Sequence, residues 1–301
     1  NIIITGGNGQ DAKILAKMIK KFNIYLIINK IKKNNLYLNH IHYSQVNLLN
    51  FKKTLKLIKK INPIAIIHLA SKNETAIKKK YINKLNYKKD YLDNFIMTKN
   101  ILDSIVSHNS KIKFVFAGSS RMFSKQKGSV TENSKFRGSC HYSNYKIDSY
   151  KLIKKYKKKY KINSTMAIFF NHDSIHRNKK FLLPRIVSYL KFKKYKKLYE
   201  IIKENIRGDF SHAEDICNAI YKITILKKLP DKIILSSNTL SSINDFIHYG
   251  VKKLKIKNFQ QINHKKDKKL LIGNNTLAKK KLNWKFKKSS FTAFKEILKN
   301  S

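Results

Sequence analysis

The sequence has only two cysteines and three prolines in 301 residues. Cys140 and Cys217 lack the paired spacing of a zinc site, so we expect neither a disulfide framework nor a structural metal. No apolar run approaches the roughly 20 residues needed to cross a bilayer, and no signal peptide or anchor is visible. We therefore expect a cytoplasmic protein that does not associate with membranes.

Acidic residues are also scarce: 17 of them stand against 66 Lys and Arg residues, for a formal net charge of +49. Such a charge alone favours a polyanionic partner. However, 61 of the basic residues are Lys spread along the whole chain, whereas nucleic-acid readers concentrate basic side chains, often Arg, on one face. We expect no specific nucleic-acid binding, only non-specific, salt-sensitive association. The five arginines lie in or beside the motifs below and are candidates for guanidinium-specific binding: Arg121, Arg137, Arg177, Arg185 and Arg207.

Short apolar segments alternate with longer amphipathic ones, which is typical of βαβ units. The predicted strands are 2–5, 24–28, 40–43, 64–70, 113–118 and 164–170, and the predicted helices are 10–21, 51–60, 81–107 and 142–161. Beyond residue 170 we expect helices near 183–190 and 213–226, a strand at 232–235, and helices to the end. The fold class is therefore α/β: a Rossmann-type doubly wound parallel sheet in a domain of residues 1–170, and a smaller C-terminal substrate lobe of residues 171–301. The strand at 232–235 is expected to rejoin the main sheet.

Glycine is scarce as well, with nine residues, yet three of them fall between Gly6 and Gly9. This segment links the first predicted strand to the first predicted helix. Gly6 suits the tight turn, Gly9 lets the backbone approach a pyrophosphate, and Ala12 allows close packing of helix on strand. The segment predicts a dinucleotide-binding turn; the alternative is a glycine-rich turn without a ligand.

The end of the second strand indicates which dinucleotide is bound. An acidic residue there would bind the ribose hydroxyls of NAD, whereas a basic one would accept the 2′-phosphate of NADP. The segment from Tyr25 to Lys33 contains no acid, and Asn29 and Lys30 stand at the strand end. NADP is therefore favoured, although the abundance of Lys leaves NAD open.

Tyr142 and Lys146 lie four residues apart and so share one face of the predicted helix 142–161. A tyrosine with a pKa of roughly 10 is a poor base at neutral pH, but an adjacent cation stabilises the phenolate and makes it a usable acid/base. Ser119, at the end of the preceding strand, is placed to hold the substrate oxygen. The Tyr–Lys spacing alone arises by chance in this chain, so its value comes from its order after the glycine turn and Ser119.

Several segments carry a resemblance to a known family. They are Thr5 to Asp11, Ile61 to Pro63 with His68 to Ala70, Phe170 to Ser174 with Arg177 and Arg185, Arg207 to Asp215, and Lys279 to Trp284. On these segments the chain resembles the extended short-chain dehydrogenases/reductases of the NAD-dependent epimerase/dehydratase family, and within them the GDP-mannose 4,6-dehydratases. The resemblance spans nearly the whole chain.

The resemblance and the motifs together imply a set of site residues. The predicted catalytic residues are Ser119, Tyr142 and Lys146; the predicted cofactor contacts are Gly6, Gly9, Gln10, Asp11, Asn29, Lys30, Asn47, Leu69, Ala70, Tyr142, Lys146 and Arg177; the predicted substrate contacts are Ser120, Asn171, Arg185 and Arg207. We assign His172 no chemical step and expect Asp209 and Asp215 to tie their loop to the helix that begins near Ala213. The resemblance further implies GDP-mannose as the substrate and a homodimer or homotetramer.

One position departs from the family's pattern. Where the family carries the glutamate that serves as base for elimination, this chain carries Arg121. A guanidinium stays protonated and cannot remove a proton, and no carboxylate occurs between Asp103 and Glu132. Asn47 and Ser124 are further departures, from an aspartate and a glycine.

The sequence is compatible with three functions. The first is a lyase that resembles the dehydratases, with hydride transfer at C4 of the sugar, Tyr142 as acid/base, and an elimination step that lacks its evident base. The second is a reductase or epimerase of a nucleotide-4-ketosugar, which needs hydride and proton transfer but no elimination. The third is a non-catalytic homologue that binds a nucleotide sugar or NADP.

Overall fold

Isoleucine-rich strands alternate with helices along the chain; the computed structural model describes residues 1–31, 38–72, 84–124, 128–257, 259, 268–269 and 271–301. The strands are β1 (Ile2–Thr5), β2 (Ile24–Ile28), β3 (Ile41–Gln45), β4 (Ala65–His68), β5 (Lys113–Ser119), β6 (Ser129–Val130), β7 (Ser164–Phe169), β8 (Asn171–Asp173), β9 (Ile206–Gly208), β10 (Phe210–His212), β11 (Lys232–Leu235), β12 (Ser241–Ser242), β13 (Lys268–Lys269) and β14 (Ile272–Gly273). The helices are α1 (Gln10–Met18), α2 (Phe51–Ile61), α3 (Lys84–His108), α4 (His141–Tyr160), α5 (Leu182–Lys191), α6 (Tyr195–Lys203), α7 (Ala213–Ile225), α8 (Ile243–Lys253), α9 (Thr276–Leu282) and α10 (Ser290–Asn300).

The main sheet has seven parallel strands in the order β11-β7-β5-β4-β1-β2-β3. The order runs outward in both directions from β1 and β4, which is the doubly wound arrangement predicted from the sequence. All residues of β1, β4 and β7 are buried, because helices cover both faces of the sheet. The Rossmann-type fold class is therefore confirmed.

Each face of the sheet has its own apolar core. One core includes Leu15 of α1, Ile220 of α7 and Ala278 of α9, and the other includes Ile58 of α2, Ile105 of α3 and Tyr145 of α4. Since α7 and α9 follow residue 170 in the chain, residues on both sides of that position share one core. The predicted return of the strand at 232–235 to the sheet is confirmed by its pairing with β7.

A third core belongs to the C-terminal half of the chain. It joins α5, α6, α8 and α10 through buried residues such as Leu190, Ile202, Phe246 and Phe294. Among the described residues no helix has the length and apolar character needed to cross a membrane. The division into a dinucleotide-binding domain and a substrate lobe at residue 170 stays a prediction.

Element boundaries differ from the sequence prediction in a few places. The predicted helix 10–21 ends at Met18, and the predicted helix 81–107 is observed from Lys84, its first three residues lying outside the described part of the chain. Helix α6 and the strands of two or three residues were not predicted. Such short strands contain too few residues to show an alternating pattern.

Candidate active site

The glycine turn between β1 and α1 is shaped by close backbone contacts. Gly6 has φ +75°, and a Cβ at this residue would lie 2.9 Å from the amide nitrogen of Ala70. The amide of Gly9 donates to the carbonyl oxygen of Gly6 at 2.8 Å, and Gly9 is the N-cap of α1 without a side-chain cap. The positive end of the helix is thus presented at the turn without a capping side chain of its own.

A cleft of about 510 Å³ opens beside this turn, at the carboxyl end of the sheet. Its walls come from the glycine turn, the end of β5, the first turns of α4 and the segment 169–185. The basic side chains in the lining are Arg121, Lys146, Arg177, Lys180 and Arg185, whereas Asp11 is the carboxylate among the lining residues. Because cations outnumber acids, the cleft is suited to a polyanionic ligand.

Lys146 lies beneath the cleft and is 2% exposed. Its Nζ donates to the carbonyl oxygen of Ala117 at 2.5 Å and lies 5.6 Å from the ring centre of Tyr142. Burial disfavours the charged ammonium and lowers the pKa of Lys146 to about 7. The predicted proximity of Tyr142 and Lys146 is therefore present, with an ammonium that loses its proton near neutral pH.

The phenol of Tyr142 lines the cleft and is subject to opposing influences. Burial raises the pKa of Tyr142, while the guanidinium of Arg121 and a hydrogen bond with Ser119 act to lower it. Arg121 lies 5.9 Å from the ring centre, so a permanent cation stands beside the phenol. Arg121 thus acts in favour of the phenolate. From the sequence it was a candidate for guanidinium-specific binding and a departure from the family's pattern, and no effect on Tyr142 was predicted.

A second tyrosine on the same helix was missed by the sequence analysis. Tyr145 is 1% exposed, its ring packs edge-on against that of Tyr142, and its hydroxyl makes a short hydrogen bond with the hydroxyl of Ser71. Burial raises the pKa of Tyr145 well above its usual value, so this phenol stays protonated. Ser71 lies just beyond β4, and its position after a central strand was the available signal.

His172 and Asp11 form a buried ion pair that joins β8 to the start of α1. The Nδ1 of His172 faces the carbonyl oxygen of Phe170 at 2.7 Å, and its Nε2 faces the carboxylate of Asp11 at 3.0 Å. Both partners are acceptors, so both ring nitrogens must donate and the imidazole is protonated. Burial opposes this charge, but Asp11 outweighs it and raises the pKa of His172. His172 thus holds the site together, which agrees with assigning it no chemical step.

His68 supports the glycine turn from below as a neutral imidazole. Its Nε2 donates to the hydroxyl of Thr98, which itself donates to a carbonyl oxygen, and its Nδ1 accepts from the hydroxyl of Thr5. The amide of Ala70 donates to the same Thr5 hydroxyl. Burial, and secondarily the charge of Lys146, lowers the pKa of His68 to about 3. This network fixes the backbone that crowds Gly6.

Two arginines, Arg177 and Arg185, line the cleft on the side formed by the segment 169–185. Arg177 pairs with Asp173 at 3.3 Å and lies over the ring of Phe181 at 3.7 Å. The Nε of Arg185 is buried and has no hydrogen-bond partner among the described residues. A buried donor of this kind indicates a ligand that completes its hydrogen bonding.

The comparison with known proteins identifies the family. The family model of GDP-mannose 4,6 dehydratase matches residues 3–300. The chain belongs to the GDP-mannose 4,6-dehydratase family. GDP-mannose 4,6 dehydratase of Dictyostelium discoideum is 24% identical over 341 residues, which cover 99% of this chain and 93% of that protein. The Homo sapiens dehydratase is 23% identical over 266 residues, which cover 81% of this chain and 70% of that protein.

Solved structures of related enzymes share the fold. The dTDP-glucose 4,6-dehydratase of Bacillus anthracis in complex with NAD superposes with a TM-score of 0.82 and 16% identity, over 100% of this chain and 96% of that one. The UDP-glucuronic acid 4-epimerase of Bacillus cereus in complex with NAD superposes with a TM-score of 0.81 and 15% identity, over 99% and 96% of the two chains. These similarities extend the dehydratase family's fold to epimerases.

Most of the site residues predicted from the motifs and the family resemblance line the cleft. They are Gly6, Gly9, Gln10, Asp11, Leu69, Ser119, Ser120, Tyr142, Lys146, Asn171, Arg177 and Arg185. Five other predicted contacts lie outside the lining: Asn29, Lys30, Asn47, Ala70 and Arg207. Their binding roles stay predictions.

The two aspartates expected to tie their loop to α7 have other partners. Asp209 accepts hydrogen bonds from the amides of Ser237, Asn238 and Gly273. Asp215 accepts from the amides of Lys287 and Lys288. Both carboxylates therefore connect segments that are distant in sequence, which spacing along the chain could not indicate.

Proposed function

We propose that the protein catalyses NADP-dependent hydride transfer at C4 of a nucleotide-activated sugar, with Tyr142 as the acid/base. The observation that carries the proposal is the position of Tyr142: it lines the cleft, and the Nζ of Lys146 and the guanidinium carbon of Arg121 lie 5.6 Å and 5.9 Å from its ring centre. The same cleft is bounded by the glycine turn. A phenol so placed can exchange a proton with a ligand held at the carboxyl end of the sheet.

The residues of the cleft are of the types that bind the phosphates of a nicotinamide dinucleotide and of a nucleotide sugar. The N-terminus of α1 is free of a side-chain cap, and Gly6 and Gly9 in the turn carry no side chain, which suits close approach of a pyrophosphate. Arg177, Lys180 and Arg185 add positive charge along the opposite wall. Solved relatives were crystallised with NAD. We favour NADP because Asn29 and Lys30 replace an acid at the end of β2.

In the proposed reaction, Tyr142 moves a proton and the residues around it position the sugar. When bound, the dinucleotide supplies the chemistry of hydride acceptance and return. The phenolate of Tyr142 takes the proton of the sugar hydroxyl as the carbonyl forms, and returns it in the reverse direction. Ser119 holds the same oxygen through its hydroxyl, and the charge of Arg121 opposes the burial that raises the pKa of Tyr142. Lys146, whose Nζ lies 5.6 Å from the ring centre of Tyr142, adds positive charge beside the phenol while it is protonated.

Family membership makes GDP-mannose the first substrate to test and dehydration the first reaction. A second candidate is a nucleotide-4-ketosugar reductase or epimerase, which needs no elimination base. The presence of Arg121 favours this alternative, because a guanidinium cannot serve as the base for elimination. Asp11, the carboxylate among the described lining residues, is already paired with His172. No described residue of the lining offers a free carboxylate for removal of a C5 proton.

The experiment is an incubation of the purified protein with GDP-mannose and NADP, with detection of 4-keto product by mass spectrometry. Product formed without added reductant supports the dehydratase. Turnover restricted to a 4-ketosugar with NADPH supports the reductase, and interconversion of C4 epimers supports the epimerase.

The matched variants are Tyr142→Phe and Tyr145→Phe, which remove one hydroxyl each from the same helix. We expect Tyr142→Phe to lower kcat by at least about 100-fold, since general acid/base catalysis contributes roughly that much or more. Tyr145→Phe should lower it by less than about tenfold, because the buried Tyr145 does not line the cleft and its phenol is already hydrogen-bonded to Ser71. Equal turnover in the wild type and Tyr142→Phe would refute the proposal and favour a non-catalytic binding protein.

A further inference from the structure

Arg121 is a cation of the cleft that has no anionic partner among the described residues. Its guanidinium makes no hydrogen bond or ion pair in the part of the chain that the structure describes, and its contact there is with the face of Tyr142. By contrast, Lys146 donates to Ala117 and Arg177 pairs with Asp173. An unpaired guanidinium beside a reacting group is available to bind an anion supplied by the ligand.

The backbone that carries Arg121 is held in place. The residue lies in a 3₁₀ turn, Ser120–Phe123, directly after β5. Its amide donates to the hydroxyl of Ser119 at 3.3 Å, and the next two side chains, Met122 and Phe123, are fully buried. The guanidinium therefore projects from a fixed base into the cleft, as specific recognition of a charged group requires.

The position of Arg121 also indicates which part of the ligand it meets. The groups suited to phosphate, namely the N-terminus of α1 with Arg177 and Arg185, come from other elements of the cleft. Arg121 instead lies beside the phenol that acts on the sugar hydroxyl. In a hexose the carbon next to C4 carries C6, and in a sugar acid C6 is a carboxylate.

We propose that Arg121 binds the C6 carboxylate of the sugar, so that the substrate is a nucleotide-activated uronic acid. This inference rests on the proposed function, because it needs a sugar hydroxyl at Tyr142. The planar guanidinium matches a carboxylate with two parallel hydrogen bonds, and a neutral C6 hydroxyl cannot use its charge. Arg121 is then a specificity-determining residue.

The test measures dissociation constants by calorimetry on the full chain saturated with NADP. Two probe pairs each differ only at C6: UDP-glucose with UDP-glucuronate, and GDP-mannose with GDP-mannuronate. In the better-bound pair we expect the uronate to bind at least 10-fold more tightly than the neutral sugar. In Arg121→Gln this ratio should fall to within about 3-fold of unity, and Arg121→Lys should retain part of it.

Arg137→Gln is the matched control, because it removes a guanidinium from an exposed residue outside the cleft lining. It should leave the ratio unchanged. An equal ratio in Arg121→Gln and wild type, a neutral sugar bound as tightly as its uronate, or a loss of NADP affinity in Arg121→Gln would each overturn the inference. If the chain binds NADP but none of the four nucleotide sugars, the proposed function itself fails.

Discussion

The residue with the clearest conflict between stability and function is Lys146. Its pKa in the folded protein is about 7 against 10.5 for the free side chain, because burial disfavours the ammonium. Between these two values the unfolded chain holds a proton that the folded chain has lost. The free energy of unfolding therefore rises with pH across this window, by roughly 1.4 kcal/mol per pH unit from this group. Below pH 7 the full cost of burying the charge is present.

Replacing Lys146 should therefore stabilise the protein where the ammonium is charged. We expect Lys146→Met to raise the free energy of unfolding by about 2 kcal/mol at pH 6, after the loss of the hydrogen bond to Ala117, and by less at pH 9. Urea denaturation at the two pH values measures the difference. Lys154→Met, at an exposed position of α4, is the control and should change the free energy of unfolding by less than about 0.5 kcal/mol. Equal destabilisation by Lys146→Met at both pH values would contradict the expectation.

Among the elements, the turn between β1 and α1 depends most directly on one glycine. Gly6 and Gly128 both have φ +75°, but a Cβ at Gly6 would contact the backbone of Ala70 at 2.9 Å, whereas a Cβ at Gly128 has no described neighbour within 4 Å. An alanine would therefore meet the same unfavourable φ at both positions, but only at Gly6 would its Cβ also be crowded by neighbouring backbone atoms. The two positions form a matched pair.

Gly6→Ala should cost more than Gly128→Ala in both stability and cofactor binding. The left-handed conformation costs each alanine roughly 1 kcal/mol, and the contact with Ala70 adds displacement of the turn at Gly6. We expect Gly6→Ala to weaken NADPH binding by at least about 10-fold and Gly128→Ala by less than about 2-fold, measured by fluorescence titration. A similar loss in both variants would show that the contact with Ala70 does not matter.

For the whole molecule, the net charge of +49 sets how it interacts with polyanions. We expect duplex DNA of random sequence to bind weakly, and this binding to fall by about 10³ between 50 and 200 mM salt. NADPH should lose much less affinity over the same range, because the cleft contributes fixed hydrogen bonds as well as charge. Filter binding and fluorescence titration provide the comparison. Discrimination of more than about 10-fold between DNA sequences would contradict the view that the charge is non-specific.

The sequence predicted the sheet strands well because most of them are short, buried apolar runs. The exception is β3, in which only Ile41 is buried. The sequence also predicted Ser119, Tyr142 and Lys146 as a group, since Ser119 ends a strand and the other two share a helix face. The partners of His172 and Tyr145 could not be predicted, because Asp11 and Ser71 are far from them in the chain. Helix α6 was missed although Tyr195, Leu198, Tyr199 and Ile202 have the i, i+3, i+4, i+7 spacing of an amphipathic helix.

The amino-acid sequence by itself determined the α/β alternation, the glycine turn and the helix face that Tyr142 and Lys146 share. These features depend on neighbours within a few residues, so the sequence alone contains them. The tertiary structure decided which charges meet: it buried the ammonium of Lys146, paired Asp11 with His172, and left Arg121 beside the phenol without a described anionic partner. Burial and long-range contacts govern these charges, and both exist only once the chain has folded.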